Sequence, residues 1–289
     1  MPQEQAAVVE PTPTAPSPPP GLARRKLGAT GLEVCRLGLS GSWGIDASSV
    51  ERAFHELGMN YFFVTPRMKG LVEGVKRLVA AGHRDRIVLA MGTMMPTGGG
   101  VRRSWEKCAR LLGVDRIDVF HVYWVQYHWY VSGKTWPAMR ELKQAGKVNA
   151  LAISGHDRQM ARALVDELEL DALMCRYNAA HRGAEADIFA SLGDGRPGIV
   201  TYTATRWGKL LKPAGELGPM TAGECYRFVL SHPRVDVALC GPKNWDELAA
   251  DAAEAALGPL TPERLAEIQR FGDRVRGKPT KRIGTFTGA

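Results

Sequence analysis

The residues able to do acid–base or ion chemistry fall in short runs. Arg67 and Lys69 form one. Tyr123, Trp124, Gln126, Tyr127 and His128 form a second, and Ser154 with His156 a third. Arg176, Tyr177, Asn178, His181 and Arg182 come next, then Arg206, Trp207 and Lys209, and finally Lys243. Arginine presents a planar fork that grips oxyanions with two hydrogen bonds. Histidine changes charge near neutrality and can serve as acid or base. Together these types predict an anionic ligand, such as a dinucleotide pyrophosphate or a substrate carboxylate. The competing reading pairs the same cations with helix acids such as Asp157, Glu185 and Asp187. Asp157, beside His156, reads better as a helix cap than as the group that orients the imidazole. The aromatic residues Trp124, Tyr127, Trp129, Tyr130 and Trp136 fit either a substrate wall or a packed loop. Metal chemistry has no support. The five cysteines are odd in number, far apart and form no CxxC, which predicts reduced thiols in a cytoplasmic protein without zinc.

The elements that must position these runs are legible as alternation. Apolar or β-branched stretches predict strands near 34–39, 61–65, 86–91, 118–123, 148–154, 172–177, 198–203 and 235–240. Helical periodicity fills the intervals at 49–57, 70–81, 102–112, 136–144, 158–168, 184–192, 222–230 and 245–256. Thr261-Pro262-Glu263 opens one more helix, with Thr as N-cap and Pro at the first helical position. Eight β/α units predict an α/β fold of the (β/α)8 TIM-barrel type rather than an open sheet. No GxGxxG follows the first strand, which counts against a Rossmann domain. Gly98-Gly99-Gly100 lacks the lysine and hydroxyl of a P-loop and reads as a flexible turn before a helix. In such barrels function gathers at the carboxyl ends of the strands, and each reactive run directly follows or ends a predicted strand.

The ends read differently from the body. Seven prolines among the first 20 residues predict a disordered leader over 1–23. A basic tail is expected over 274–289, leaving a barrel at 24–273. Of the net charge of +8, residues 1–26 and 273–289 together carry +5, and residues 27–272 are left with +3. That argues against a nucleic-acid partner for the body. No apolar run approaches the roughly 20 residues that span a bilayer, so no membrane partner is expected. The oligomeric state is not legible.

Several motifs resemble the aldo-keto reductase superfamily. Residues 25–34, Arg-Lys-Leu-Gly-Ala-Thr-Gly-Leu-Glu-Val, resemble the hairpin that plugs the bottom of those barrels. Gly58-Met59-Asn60-Tyr61-Phe62, Asp115-Arg116-Ile117-Asp118-Val119-Phe120, the run Gly146–Ser154, Tyr177-Asn178 with His181-Arg182, Gly198–Tyr202 and Gly241-Pro242-Lys243 follow in the family's order, over about residues 24–270. The resemblance implies a barrel with a bottom hairpin near 25–36, an extra C-terminal helix, and reduction of carbonyls with NADPH. It also implies a tetrad of Asp, Tyr, Lys and His. Those positions hold Phe63, Met68, Gly92 and Tyr123, so the sequence looks like a divergent branch lacking the usual tetrad.

The expected function is therefore an NADP(H)-dependent oxidoreductase with an altered proton donor, acting on a carbonyl or alcohol. The alternatives are a catalytically silent barrel that senses a nucleotide or anionic ligand, and a lyase or isomerase using the same pocket. Tyr123, the one hydroxyl at a tetrad position, is the first candidate acid and His156 the second. His121 is expected to face outward or into the core. By resemblance, Ser154, Tyr202, Thr203, Arg206, Gly241 and Lys243 would hold the cofactor, with Ser154 on the nicotinamide amide, Tyr202 on the ring and Lys243 on the 2′-phosphate. Gly155 and Met174 replace two further amide contacts. The segment from Thr205 to Met220, with Gly208, Gly215 and Gly218, is expected to form a strap over the ligand.

Overall fold

The computed structural model describes residues 22, 24–193, 195–215 and 218–277. The leader expected over 1–23 lies outside the described residues apart from Leu22. So does the tail from 278. Among the described residues, no helix is long and apolar enough to cross a membrane.

The chain opens with a hairpin, β1 (Arg24–Lys26) and β2 (Glu33–Cys35), paired antiparallel. Eight parallel strands then close into a barrel: β3 (Leu37–Ser40), β4 (Tyr61–Phe63), β5 (Val88–Thr93), β6 (Ile117–Val125), β7 (Val148–Gly155), β8 (Ala172–Arg176), β9 (Gly198–Tyr202) and β10 (Val237–Cys240). β10 pairs with both β3 and β9, so no edge is left open. The first predicted strand, 34–39, divides between hairpin strand β2 and barrel strand β3. The chain turns at Arg36, whose guanidinium donates to the Leu230 and Val235 carbonyls.

Leu27 and Val34 of the hairpin enter the bottom of the barrel and pack on Tyr61, Val88, Val119, Ala150, Val200 and Val237. Gly28 adopts a left-handed φ of 51°, and a Cβ there would strike the backbone at Pro197–Gly198. Its N–H donates to Asp236, which locks the plug to β10.

Helices α1 (Ala47–Leu57), α2 (Lys69–Ala80), α3 (Gly98–Leu112), α4 (Thr135–Gln144) and α5 (Arg158–Leu168) separate the strands from β3 to β8. Then come α6 (Ala184–Asp187), α7 (Ala222–Ser231), α8 (Trp245–Ala255) and α9 (Pro262–Arg276). Apolar stripes bury their inner faces against the outside of the barrel. Two helices depart from the sequence pattern. The Gly98-Gly99-Gly100 run is the first turn of α3 rather than a flexible turn before it. Thr97 caps the Gly100 N–H, and Cβ atoms at 98 and 100 would crowd the Lys134 carbonyl and Met95. The helix expected at 184–192 stops after one turn at Ile188, followed by a 3-10 turn at Phe189–Ser191. α9 begins where Thr261 and Pro262 set it and runs to Arg276, past the boundary at 273 drawn from the sequence. All five cysteines are buried and unbridged.

Candidate active site

A cavity of about 890 Å³ opens at the carboxyl ends of the strands. Along its wall Ser40 ends β3 and Trp43 follows it, Phe63 ends β4, and Ser154 and His156 end and follow β7. Met174 comes from β8, Tyr202 to Gly208 from the end of β9, and Gly241 to Lys243 from beyond β10. The remaining wall is built from the start of α7 and from one face of α8.

The inner end carries a hydrogen-bonded pair. The Tyr202 hydroxyl lies 3.1 Å from His156 Nδ1 and 3.3 Å from the Gly155 carbonyl. Both contacts are satisfied when Tyr202 donates to Gly155 and His156 Nδ1–H donates to Tyr202. Nε2 is then left with its lone pair. Burial, with Arg176 adding to it, holds the His156 pKa below the usual histidine value. Burial pushes the Tyr202 hydroxyl up, so it stays protonated. Ser154 Oγ accepts the Trp124 N–H at 2.8 Å, keeping its own proton free to donate.

Deeper in the barrel an aromatic group closes the floor. Phe63 packs edge-on to His121 and Tyr123, whose rings stack 5.6 Å apart. The ring of Tyr123 is partly exposed, but its hydroxyl is enclosed and has no partner among the described residues. Burial, with Cys108 and Tyr61 nearby, raises its pKa well above 10. His121 faces the interior and donates Nδ1–H to the Met91 carbonyl at 3.1 Å; burial lowers its pKa to about 4. Met68 is 9% exposed. Gly92 has no room for a side chain, because a Cβ would run into the His121 carbonyl of the adjacent strand.

The rim cations do not converge. Of Arg67, Lys69, Arg176, Arg182, Arg206 and Lys243, only Lys243 lines the cavity. Arg182 binds Asp273 at 3.0 Å and the Ala179 carbonyl at 2.7 Å. Arg206 donates to the Val275 and Arg276 carbonyls at the end of α9. These two arginines clamp α9 to the barrel. The segment expected as a strap is thereby tied down at its start, and Met220 N–H closes it on the Leu210 carbonyl. Residues 216 and 217 lie outside the described residues. Tyr127 and Trp129 stack on one another away from the cavity, and Trp136 is buried with its indole N–H on the Leu168 carbonyl.

Residues 90–220 match the aldo/keto reductase family model. The fold is similar to that of an aldo-keto reductase from Bacillus halodurans in its holo form, with a TM-score of 0.74 and 21% identity. That likeness covers 86% of this chain and 96% of the other. A putative aldo-keto reductase from Pseudomonas aeruginosa follows at 0.67 and 23%, covering 81% and 94%. L-galactose dehydrogenase of Arabidopsis thaliana is 29% identical over 153 residues. That match takes in 45% of this chain and 48% of the relative, so the chain spans about half the length of the curated relative.

The chain has the barrel fold of the aldo-keto reductases it is similar to. At the positions where the resemblance implies proton-transfer groups the chain carries Phe63, Met68, Gly92 and Tyr123. Room for a dinucleotide remains. Ser154 and the ring of Tyr202 stand at the inner end, Thr203 and Gly208 along the side, and Gly241 beyond, where a Cβ would crowd Trp43. The capping box of α7 engages the Thr221 and Glu224 amides, while those of Ala222 and Gly223, two residues of the cavity lining, have no partner among the described residues. Such amides at a helix start suit a diphosphate. Arg206 lies outside this lining.

The sequence reading missed the α8 wall. Glu247, Asp251 and Glu254 recur at helical spacing and so share one face. That spacing after the last strand was the available signal. Acids on a surface helix are ordinarily solvated, which hid it.

Proposed function

We propose that the chain is an oxidoreductase that takes a hydride from an alcohol and passes it to a nicotinamide dinucleotide held in this cavity. His156 is the base. The observation that carries this reading is the chain Gly155 carbonyl, Tyr202 hydroxyl, His156 Nδ1–H, which leaves Nε2 free within the cavity wall. A bound nicotinamide would supply the hydride acceptor. The protein's part is to hold the amide with Ser154 and to fix the imidazole with Tyr202. Nε2 accepts the hydroxyl proton as the C–H pair departs. A depressed histidine pKa suits a base, because the ring is neutral at working pH. Tyr123, the first candidate from the sequence, is ill suited because its hydroxyl is enclosed and held protonated. NADP(H), expected from Lys243, loses support because Glu247 engages that residue.

The name of the curated relative suggests sugar or polyol alcohols as the first test panel. We expect slow formation of reduced nicotinamide on that panel, lost by about 10²–10⁴-fold in His156→Gln. Equal loss in Tyr123→Phe would return the role to Tyr123. The aromatic floor favours a second reading, a silent barrel that binds without turnover. Tight dinucleotide binding with no conversion of any alcohol or carbonyl would establish that reading and overturn the first.

A further inference from the structure

Glu247, Asp251 and Glu254 form the outer wall of the cavity along α8. Asp251 is only 7% exposed, yet no donor among the described residues reaches its carboxylate. Buried carboxylates ordinarily carry hydrogen bonds, so a partnerless one facing a cavity is a group waiting for a donor. Glu254 accepts one bond, from the Thr221 hydroxyl at 3.3 Å. The two helices are held close here, since a Cβ on Gly223 would collide with the Glu254 side chain. The wall's one cation is neutralised locally. Lys243 Nζ lies 3.6 Å from Glu247, whose other oxygen accepts the Lys243 N–H at 2.9 Å. The cavity thus presents three carboxylates against a single compensated lysine.

Resting on the dinucleotide reading above, we propose that this carboxylate face makes the cavity selective for NAD(H) against NADP(H). The carboxylates accept hydrogen bonds from the ribose hydroxyls of the adenosine half, the same chemistry by which an acidic residue recognises a ribose diol in other dinucleotide folds. A 2′-phosphate offers acceptors only and would bring further negative charge among them, so repulsion sharpens the choice. Lys243 therefore acts as the local partner of Glu247 and not as a phosphate clamp.

The test is equilibrium titration of the full chain with NADH and NADPH, read by nicotinamide fluorescence and by calorimetry. We expect NADH to bind at least ten-fold more tightly. Asp251→Asn and Glu254→Gln should each narrow the ratio several-fold by improving NADPH, and Glu254→Arg should bring the two to parity or beyond. The half-exposed Glu254 keeps the test open if substitution at Asp251 disturbs folding. NADPH binding as well as or better than NADH overturns the selectivity and leaves the oxidoreductase reading standing. A ratio unmoved in all three variants overturns the role of this face. No binding of either dinucleotide overturns both proposals.

Discussion

Asp236 and Asp251 are both buried carboxylates at opposite ends of the barrel, and they are treated in opposite ways. Asp236, at the bottom, is fully buried. It receives Arg196 through two bonds of 2.7 and 2.8 Å, Arg25 at 3.0 Å, and the backbone N–H groups of Gly28 and Ile199. Every lone pair has a use, and the residue ties the plug to β9 and β10. Asp251, at the mouth, has no donor among the described residues and faces its neighbours Glu247 and Glu254. A carboxylate that serves stability is satisfied within the chain. The one proposed to serve binding is left incomplete, at a cost in stability. The polarity of the barrel, with structure below and function above, is written in these two residues.

The largest expected effect breaks the lower site. Asp236→Ala should cost about 3–5 kcal/mol, the range for removing one partner of a buried ion pair. Urea unfolding would measure it, and a loss under 1 kcal/mol would mean the plug is held by apolar packing alone.

The same class of change at the mouth should act with the opposite sign. Burial, reinforced by Glu247 and Glu254, raises the Asp251 pKa to about 7. Tyr226 and Cys225 on α7 and Cys240 on β10 are the other titratable groups close to it. A carboxyl raised in the folded state supports folding fully below its unfolded pKa near 4 and loses that support as pH rises through 7. Asp251→Asn should therefore stabilise the protein by on the order of 2 kcal/mol at pH 8 and by little at pH 4. Paired melting curves at the two pH values check this. A stability gain that does not depend on pH would show that the Asp251 charge is not its source.

The smallest effect concerns the clamp. Arg206→Ala should lower stability by about 1 kcal/mol, since its bonds to the α9 carbonyls are part-exposed. Dinucleotide affinity should stay within two-fold, because the side chain points away from the cavity. A large loss of affinity would put Arg206 back among the ligand contacts.

These two carboxylates also mark what a sequence can disclose. The barrel was legible because buried parallel strands are apolar on both faces, as in Val88–Thr93 and Val148–Gly155, and because Thr261-Pro262 announces its helix. The strand-end position of Ser154, His156 and Tyr202 was legible for the same reason. The hydrogen bond between His156 and Tyr202 was not, because it depends on the geometry between two strands, β7 and β9. Arg206 and Arg182 were legible as rim residues but not in their direction. A long side chain can reach into the mouth or back over a helix, and the exposed carbonyls of α9 drew one of them away. Asp251 was hidden because burial of an acid is decided by the neighbouring helix, here through the closeness that Gly223 permits.

Gly92 limits what can be built into the barrel floor. With no side chain tolerated beside the His121 carbonyl, a lysine does not fit at that position while β5 and β6 keep their present spacing. Phe63, packed edge-on to His121 and Tyr123, crowds the same floor. An acid–base group engineered into this chain is more readily placed among the residues standing at the mouth than in that floor.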